Sequence, residues 1–337
     1  MVIDFRSDTV TKPTPGMLKA MMNAKVGDDV FGEDPSINEL EELSADMFGM
    51  EAGLFCPSGT MTNQVAIKCH TQPGDDVICD ENAHVYQYEG GGIAFNSSAS
   101  VKLLQGDRGR INAEQVKAAI NPDDNHKPLT SLVCLENTSN RGGGSCYELS
   151  EIKKIRQLCT ENKLALHLDG ARLWNALIAK NETPKQYGEV FDTISICLSK
   201  GLGCPVGSVL VAKKEVIKKA RRIRKVFGGG MRQAGFVAAA GIYALQNHIQ
   251  RLKEDHDHAR QIGEALAKSS VARSVLPIET NIIIFETPGN IANDTVAQLK
   301  QHGILCYAMA PDRIRFVLHL DITGEMVKKA IDIIKNM

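Results

Sequence analysis

Several features that define whole classes of protein are missing from this 337-residue chain. Apolar runs such as residues 282–285 fall far short of the roughly 20 residues that a helix needs to cross a bilayer. The amino terminus has no basic segment followed by an apolar core, so we expect no secretory signal. With 43% hydrophobic and 23% charged residues and no internal repeat, the composition is globular and excludes fibrous or disordered architectures.

Net charge is also almost absent, because 39 Lys and Arg face 40 Asp and Glu. Without an excess of either sign, no field steers the protein to nucleic acid or to an anionic membrane, and we expect neither as a partner. Residues 213–225 are a local exception, with eight basic side chains and one acid, Glu215. Alone this segment predicts a nucleic-acid patch, but we favour a solvated helix face.

The nine cysteines form no Cys-x-x-Cys motif, and their number is odd. Most lie inside apolar runs, as Cys134 does in residues 132–135. This pattern indicates free buried thiols rather than a disulfide framework, and we therefore expect a reducing, cytoplasmic location.

What the sequence does contain is an alternation of short apolar runs with helical patterns between about residues 50 and 212. Seven runs read as strands: 53–56, 76–79, 101–104, 131–135, 164–168, 193–198 and 208–211. Between two of them, residues 150–163 form an amphipathic helix that we expect Ser150 to cap. Continuous rather than alternating apolar strands, separated by helices, predict an α/β fold with a mostly parallel seven-stranded sheet covered on both faces.

The pattern changes after about residue 231. A long helical stretch over 232–268 is followed by a strand at 281–286, a helix near 295–302, a strand at 314–319 and a closing helix from 325. These elements predict a smaller C-terminal α+β domain. We therefore divide the chain into an extended N-terminal arm (1–15), a large domain (16–245) and a small domain (246–337), with the helix around 238–245 as the hinge.

Ligands of an open parallel sheet bind beyond the carboxyl ends of its strands, so the residues that follow each strand matter most. The first strand is followed by Ser58, Gly59 and Thr60 at the start of a helix. Small residues at a helix amino terminus leave N–H groups free to hold a phosphate, and the helix dipole assists. Taken alone, the segment is more often an ordinary capped helix.

An acid and a lysine follow two later strands. Asp169 comes after Leu-His-Leu, where a desolvated carboxylate needs a cationic partner, and a structural pair with Arg172 is an equal alternative. Lys200 follows the run 194–198 among small residues, and we expect burial to lower its pKa and leave free amine for a Schiff base. No Gly-Lys-Ser/Thr motif is present, so this lysine does not indicate ATP binding.

Together the three signals indicate more than each does alone. A phosphate cradle, a buried acid and a buried lysine at strand ends meet the needs of pyridoxal 5′-phosphate (PLP). The cradle would anchor the phosphate, Asp169 would keep the pyridine nitrogen protonated, and Lys200 would bind the aldehyde. One strand–helix–strand step separates Asp169 from Lys200, which returns both residues to the same edge of the sheet.

With these residues and the segments below, the chain resembles the L-threonine aldolases of the low-specificity type. The resemblance runs from residue 6 to at least 319 and is carried by segments 6–11 (RSDTVT), 26–30 (VGDDV), 32–35 (GEDP), 168–172 (LDGAR), 197–203 (CLSKGLG) and 228–233 (GGGMRQ). It implies the aspartate aminotransferase type of fold (fold type I), PLP as cofactor, and a homotetramer built as a dimer of dimers whose subunits complete each other's sites.

The resemblance also implies roles for individual residues at the cofactor. Lys200 matches the Schiff-base lysine and Asp169 the partner of the pyridine nitrogen. The remaining cofactor contacts that it implies are the phosphate loop, the imidazole stacked on the ring, and groups that reach a neighbouring subunit's phosphate: Ser58, Gly59, Thr60, His84, Lys225 and Arg232.

At the substrate, the resemblance implies that Arg172 and Arg315, assisted by Ser7, bind the carboxylate, with Arg172 also near the cofactor oxygen. His126 matches a second histidine near the substrate hydroxyl. The implied catalytic set is therefore Lys200, His84, His126 and Asp169. No metal site is expected, since His256 and His258, two residues apart on a helix, point to different faces.

The reaction implied is retro-aldol cleavage of a β-hydroxy-α-amino acid, L-threonine or L-allo-threonine, to glycine and acetaldehyde. The nearest alternative is a β-eliminating lyase of the same fold that acts on tyrosine, tryptophan or cysteine-like substrates. Two departures from the family pattern, Phe31 for tyrosine and Ser139 for histidine, bear on rate and substrate preference rather than on reaction type.

Overall fold

Thirteen strands form three sheets in the computed structural model, which describes residues 1–337. The strands are β1 Ile3–Asp4, β2 Ala52–Cys56, β3 Asp76–Asp80, β4 Ser100–Leu104, β5 Thr130–Glu136, β6 Ala165–Gly170, β7 Thr193–Cys197, β8 Ser208–Ala212, β9 Ser274–Val275, β10 Ile282–Glu286, β11 Ile304–Leu305, β12 Tyr307–Ala310 and β13 Arg313–Val317.

Thirteen α-helices connect and cover these strands. They are α1 Pro15–Met22, α2 Pro35–Phe48, α3 Gly59–His70, α4 His84–Gln87, α5 Ala113–Ala119, α6 Leu149–Glu161, α7 Leu173–Lys180, α8 Pro184–Gly188, α9 Lys214–Val226, α10 Gly235–Asn247, α11 Leu252–Leu266, α12 Ala292–Gln301 and α13 Gly324–Asn336. None of them combines the length and the apolar character that crossing a membrane requires.

The largest sheet has the strand order β2-β8-β7-β6-β5-β3-β4. Every neighbouring pair is parallel except the two that involve β8, which runs antiparallel to both β2 and β7. All seven strands overlap the seven predicted runs, so the prediction of a mostly parallel seven-stranded sheet is confirmed.

Both faces of this sheet are covered, so most side chains of its inner strands are apolar. Along β8, Val209 and Val211 belong to the core beneath α2, α6, α7 and α10, whereas Leu210 packs with Val65 and Ile217 on the face of α3 and α9. Successive side chains of a strand point to opposite faces, so a strand buried on both sides favours apolar residues at successive positions, and the few polar residues buried there need hydrogen-bond partners.

The C-terminal part of the chain forms a second, smaller unit. Its antiparallel sheet has the order β12-β13-β10-β9 and packs with α11, α12 and α13 in a core of its own. The predicted α+β region is therefore present. The residue limits that we assigned to the arm and the two domains stay a prediction.

The first residues do not form a free arm. Strand β1 pairs with β11 in a parallel two-stranded sheet, and Ile3 and Phe5 are buried in the core of the C-terminal unit. A 3-10 turn over Asp8–Val10 then carries the chain to α1. This path brings residues 6–11 between the two units.

Two predictions about helices were wrong. The stretch 232–268 is not one helix but two, α10 and α11, separated by turns at residues 248–251. Helix α6 begins at Leu149 rather than after a Ser150 cap, and Glu148 occupies the N-cap position without a capping hydrogen bond from its side chain.

Candidate active site

The site is built where parallel strands end side by side. Strands β2, β5, β6 and β7 run in the same direction, so the residues that follow them meet at one edge of the sheet. Glu136 at the end of β5 is the register partner of Asp169 at the end of β6, and Asp169 is in turn the partner of Ser195 on β7. Lys200 follows three residues after β7 ends.

The loop after β2 is an anion cradle. Ser58 caps α3, its Oγ accepting a hydrogen bond from the Met61 N–H at 3.2 Å. The backbone N–H groups of Gly59 and Thr60 have no acceptor in the chain. A Cβ at position 59 would lie 3.3 Å from the Cys197 sulfur, so a side chain there would fill the floor of the cradle. Free N–H groups at the positive end of a helix suit a phosphate.

Asp169 is 2% exposed and is held by neutral donors. One carboxylate oxygen accepts a hydrogen bond from the Ala171 N–H at 3.0 Å and the other from Asn63 Nδ2 at 3.0 Å. Arg172 forms its ion pair elsewhere, so the structural Asp169–Arg172 pair that we considered as an alternative is not formed. Asp169 therefore remains available to bind a protonated group of a ligand.

Lys200 lies in the same cluster, with its Nζ 3.5 Å from the Cys197 sulfur. We expected burial to lower the pKa of this amine, and that direction was wrong. Burial does pull the pKa down, but Cys197 and the carboxylates of Asp8 and Asp169 more than compensate and leave it above its ordinary value. The fraction of Lys200 present as free amine therefore depends on these neighbours as well as on burial.

His84 begins α4 and is surrounded by acids from three elements. Its Nδ1 lies 3.0 Å from Glu89 Oε1, and its backbone N–H donates to Glu136 at 2.9 Å. Burial lowers the pKa of His84, but the hydrogen bond to Glu89 and the charges of Asp169 and Glu136 raise it above its ordinary value overall. Because a carboxylate only accepts, Nδ1 carries the hydrogen and Nε2 is left free.

Glu136 is an unusually weak carboxylic acid. It is buried, accepts hydrogen bonds from the His84 and Asn140 N–H groups at 2.9 Å each, and lies beside Asp169. Burial, together with the Asp169 charge, raises its pKa to about 7. Glu136 is therefore the carboxyl group of the cluster that takes up a proton most easily.

Two arginines converge on one neutral acceptor. Arg172 forms a bidentate ion pair with Asp8, with both distances 2.7 Å, and its Nη1 also lies 3.3 Å from Asn140 Oδ1. Arg315 donates to the same Asn140 oxygen at 2.8 Å and to the Arg6 carbonyl at 3.3 Å.

Arg315 lacks an anionic partner. It forms no ion pair, and its buried Nε has no hydrogen-bond partner. Burial and the neighbouring Arg172 charge lower its pKa. A buried guanidinium without a carboxylate is a binding site for an anion, and its planar fork suits a carboxylate.

The other predicted residues make no hydrogen bond to the side chains of this cluster within a single chain. Ser7 caps the 3-10 turn at Asp8–Val10 and accepts hydrogen bonds from Thr9. Lys225 is exposed at the end of α9, and Arg232 pairs on the surface with Asp28 at 2.8 Å.

His126 is not brought to the site by its own chain. Its side chain is 93% exposed and bonds only Asp124, and it precedes β5, at the opposite edge of the sheet from Lys200. A contact of His126 with this site would have to come from another copy of the chain.

Five functional candidates were not found from the sequence: Asp8, Asn63, Glu89, Glu136 and Asn140. Glu136 gave the same signal as Asp169, an acid directly after a buried apolar run, and the strand-end rule applied to β5 would have found it. Asn63 lies near the Ser58 loop and Asn140 directly follows Ser139, but the side-chain partners of both asparagines are distant in sequence. Glu89, which follows a four-residue helix, gave no signal.

A metal is the other ligand that this cluster could hold. Ligand atoms of His84, Glu89 and Asp169 all lie within 4.8 Å of one another. Each of these three side chains already has a protein partner. Glu89 accepts hydrogen bonds from His84, Asn63 and Gln64, and Asp169 accepts one from Asn63. These acids are satisfied by donors, so the arrangement favours an organic cation or a protonated ring over a metal ion.

Comparison with known proteins shows a single family. The family model described as beta-eliminating lyase matches residues 4–288. The chain is 41% identical over 327 residues to the low specificity L-threonine aldolase of Escherichia coli K12, covering 97% of this chain and 96% of that protein. It is 40% identical over 329 residues to low-specificity L-threonine aldolase 1 of Arabidopsis thaliana, covering 95% and 92%.

Solved structures agree on the fold. The threonine aldolase of Leishmania major superposes with a TM-score of 0.87 at 21% identity, covering 99% of both chains. The serine palmitoyltransferase of Sphingomonas wittichii gives a TM-score of 0.76 at 14% identity, covering 99% of this chain and 86% of that one. At these identities the likeness establishes the architecture and no more.

Proposed function

The chain belongs to the beta-eliminating lyase family and, within it, to the low-specificity L-threonine aldolases, and we propose that it uses PLP to cleave β-hydroxy-α-amino acids. The substrates proposed are L-threonine and L-allo-threonine, and the products are glycine and acetaldehyde. The observation that carries the proposal is the convergence of the phosphate cradle, Asp169 and Lys200 at one sheet edge, beside the unpaired Arg315.

The residues present fit each part of PLP. The free N–H groups of Gly59 and Thr60 suit the phosphate, and the absence of a Cβ at Gly59 leaves room for it. Asp169 would hold the pyridine N–H, and Lys200 would bind the aldehyde. When bound, PLP supplies a conjugated ring that takes up the electron pair left on the substrate when its Cα–Cβ bond breaks.

Arg315 would bind and orient the substrate carboxylate. Its guanidinium forms no ion pair, whereas Asp8 already neutralises Arg172. Asn140 holds both guanidinium groups at a fixed separation. Fixing the carboxylate fixes the rotation about the bonds to Cα, so that the Cα–Cβ bond can align with the ring that receives its electrons.

His84 is the base that we propose for the β-hydroxyl proton. Its Nδ1 donates to Glu89, which leaves the Nε2 lone pair to accept that proton as the Cα–Cβ bond breaks and acetaldehyde leaves. The negative charge of Glu89 stabilises the resulting imidazolium. The Cα of the product then takes up a proton and glycine is released.

Other copies of the chain would complete the site. We propose a homotetramer in which Lys225 and Arg232 reach a neighbour's phosphate and His126 approaches a neighbour's substrate hydroxyl. Exposed apolar side chains next to these residues support an interface, since Val226 is 83% and Phe31 72% exposed. A cytoplasmic location is proposed with it, supported by nine unpaired cysteines of which eight are buried.

The test is an assay of both products with purified protein and added PLP. L-Threonine and L-allo-threonine should each give equal amounts of glycine and acetaldehyde, and the ratio of the two rates sets the stereochemical preference. Formation of ammonia and pyruvate from tyrosine, tryptophan or cysteine, with no glycine from threonine, would instead support the β-eliminating alternative.

A further inference from the structure

Asn63 is a buried side chain near the site that makes three hydrogen bonds, and the mechanism above does not use it. It lies one turn into α3 and is 2% exposed. Its Nδ2 donates to Glu89 Oε1 at 2.8 Å and to Asp169 Oδ2 at 3.0 Å, and its Oδ1 lies 3.1 Å from His167 Nε2. One amide group thus joins the acid beneath His84 to the acid that faces the cofactor nitrogen.

The partners of Asn63 determine which group donates and which accepts in each hydrogen bond of this series. Two carboxylates can only accept, so the NH2 group of Asn63 faces them and its oxygen faces His167. His167 Nε2 therefore carries the hydrogen, and its Nδ1 accepts from the Thr193 hydroxyl at 2.9 Å. The Thr193 oxygen then accepts from His70 Nε2 at 3.2 Å.

Both histidines behind Asn63 are neutral, which this order of donors requires. Burial lowers the pKa of His167 to about 4 and that of His70 to about 4. Neutral rings need only one acceptor each, and Asn63 Oδ1 for His167 and the Thr193 hydroxyl for His70 supply them. The NH2 group of Asn63 therefore presents its two N–H bonds in fixed directions to Glu89 and Asp169.

We propose that Asn63 is a positioning residue that fixes the carboxylates of Asp169 and Glu89 relative to each other and so couples cofactor binding to the proton held by His84. The inference rests on the proposed function and adds to it the group that links the two halves of the site. His84 faces three acids, Glu89 beyond its own helix, Asp169 from β6 and Glu136 from β5, and Asn63 contacts two of them.

Removing the amide should change two measurable properties together. In Asn63→Ala, the Asp169 carboxylate loses the donor that fixes its orientation toward the cofactor nitrogen, so the dissociation constant for PLP should rise about ten-fold or more, the effect of one misplaced hydrogen bond to a charged group. Glu89 also loses a neutral donor and holds the proton of His84 more strongly. The acidic limb of the pH profile of kcat/KM for L-threonine should therefore move to higher pH.

Gln64 supplies a matched control on the next residue of α3. Its Nε2 donates to Glu89 Oε2 at 2.6 Å and does not contact Asp169. Gln64→Ala should move the acidic limb in the same direction as Asn63→Ala while leaving the dissociation constant of PLP unchanged. A loss of packing alone would not separate the two variants in this way.

The experiment titrates PLP into cofactor-free wild type, Asn63→Ala and Gln64→Ala, and records the pH profile of each reconstituted enzyme. A weaker PLP complex in Asn63→Ala alone, with a shifted limb in both variants, supports the coupling. A folded Asn63→Ala with wild-type PLP affinity and an unchanged profile overturns it. If Asn63→Ala does not fold, Asn63→Ser is judged by the same two results.

Failure of the proposed reaction and failure of the Asn63 inference give different results. If wild type binds PLP but releases no aldehyde from threonine, the reaction assigned above is wrong. In that case the PLP titration still decides the inference, because unequal binding by Asn63→Ala and Gln64→Ala does not depend on which substrate is turned over.

Discussion

Arg315 gives the sharpest test of how substrate is held. Its guanidinium is mostly buried, bonds only the Asn140 side chain and the Arg6 carbonyl, and leaves Nε without a partner. We expect a substrate carboxylate to supply the missing acceptor in a bidentate pair. Each charge-assisted hydrogen bond contributes about 1.5–3 kcal/mol, so losing two of them costs about 3 kcal/mol or more.

In Arg315→Ala, kcat/KM for L-threonine should therefore fall at least about 100-fold, since each 1.4 kcal/mol is a factor of ten. Arg315→Lys keeps the charge but not the planar fork and should recover only part of the loss. The matched control is Arg313→Ala, two residues earlier on β13, whose exposed guanidinium pairs with Glu286. That variant should keep kcat/KM within about two-fold, as surface ion pairs contribute little.

Stability separates this role from a structural one. Arg315 lies beside the Arg172 charge, and burial together with that charge lowers its pKa, so its native environment disfavours the cation. Arg315→Ala should consequently unfold at the same temperature as wild type or higher. Activity lost in parallel with a large drop in melting temperature, or kcat/KM unchanged in Arg315→Ala, would refute the assignment.

Three further predictions follow from the charges of the cluster. Glu89→Gln removes the anion that raises the pKa of His84, so the acidic limb of kcat/KM should move to lower pH, and an unmoved limb would exclude His84 as the base. Asp8→Asn leaves the buried Arg172 without its acid and should lower the free energy of unfolding by about 3–5 kcal/mol in urea titrations at pH 7; equal stability of the two proteins would contradict this. Arg172 outweighs burial and holds the pKa of Asp8 below its ordinary value. The stability difference between wild type and Asp8→Asn should therefore be fully present above the pKa of an unfolded aspartate, and it should disappear as pH falls through the pKa of Asp8 in the folded protein. Dialysis against EDTA should leave aldehyde release unchanged, since the acids near His84 already have protein donors, and activity restored only by added metal would show otherwise.

The strands were predictable because they are buried on both faces. Continuous apolar runs such as 131–135 and 208–211 predict buried strands, and all seven runs lie in one sheet. The break between α10 and α11 was not predictable, because residues 247–251 contain neither glycine nor proline and keep the apolar Ile249. The pairing of β1 with β11 joins residues 301 positions apart, and two-residue strands are too short to show a pattern.

The site was predictable in its parts but not in its electrostatics. The strand-end rule found Asp169 and Lys200, and small residues at a helix start found the loop at Ser58. Whether Lys200 is more or less basic than usual depends on Cys197 and on two carboxylates from other segments, and these neighbours reverse the effect of burial. Charge balance of this kind is a property of distances, which one-dimensional spacing does not contain.

We propose that the three strand ends form one PLP site and that Lys200 is the residue that binds the cofactor aldehyde. This role is decided by measuring acetaldehyde release from L-threonine by Lys200→Ala beside wild type, both with excess PLP and with folding checked by circular dichroism. We expect steady release by wild type and none by the variant. Substantial turnover by a folded Lys200→Ala would exclude this role.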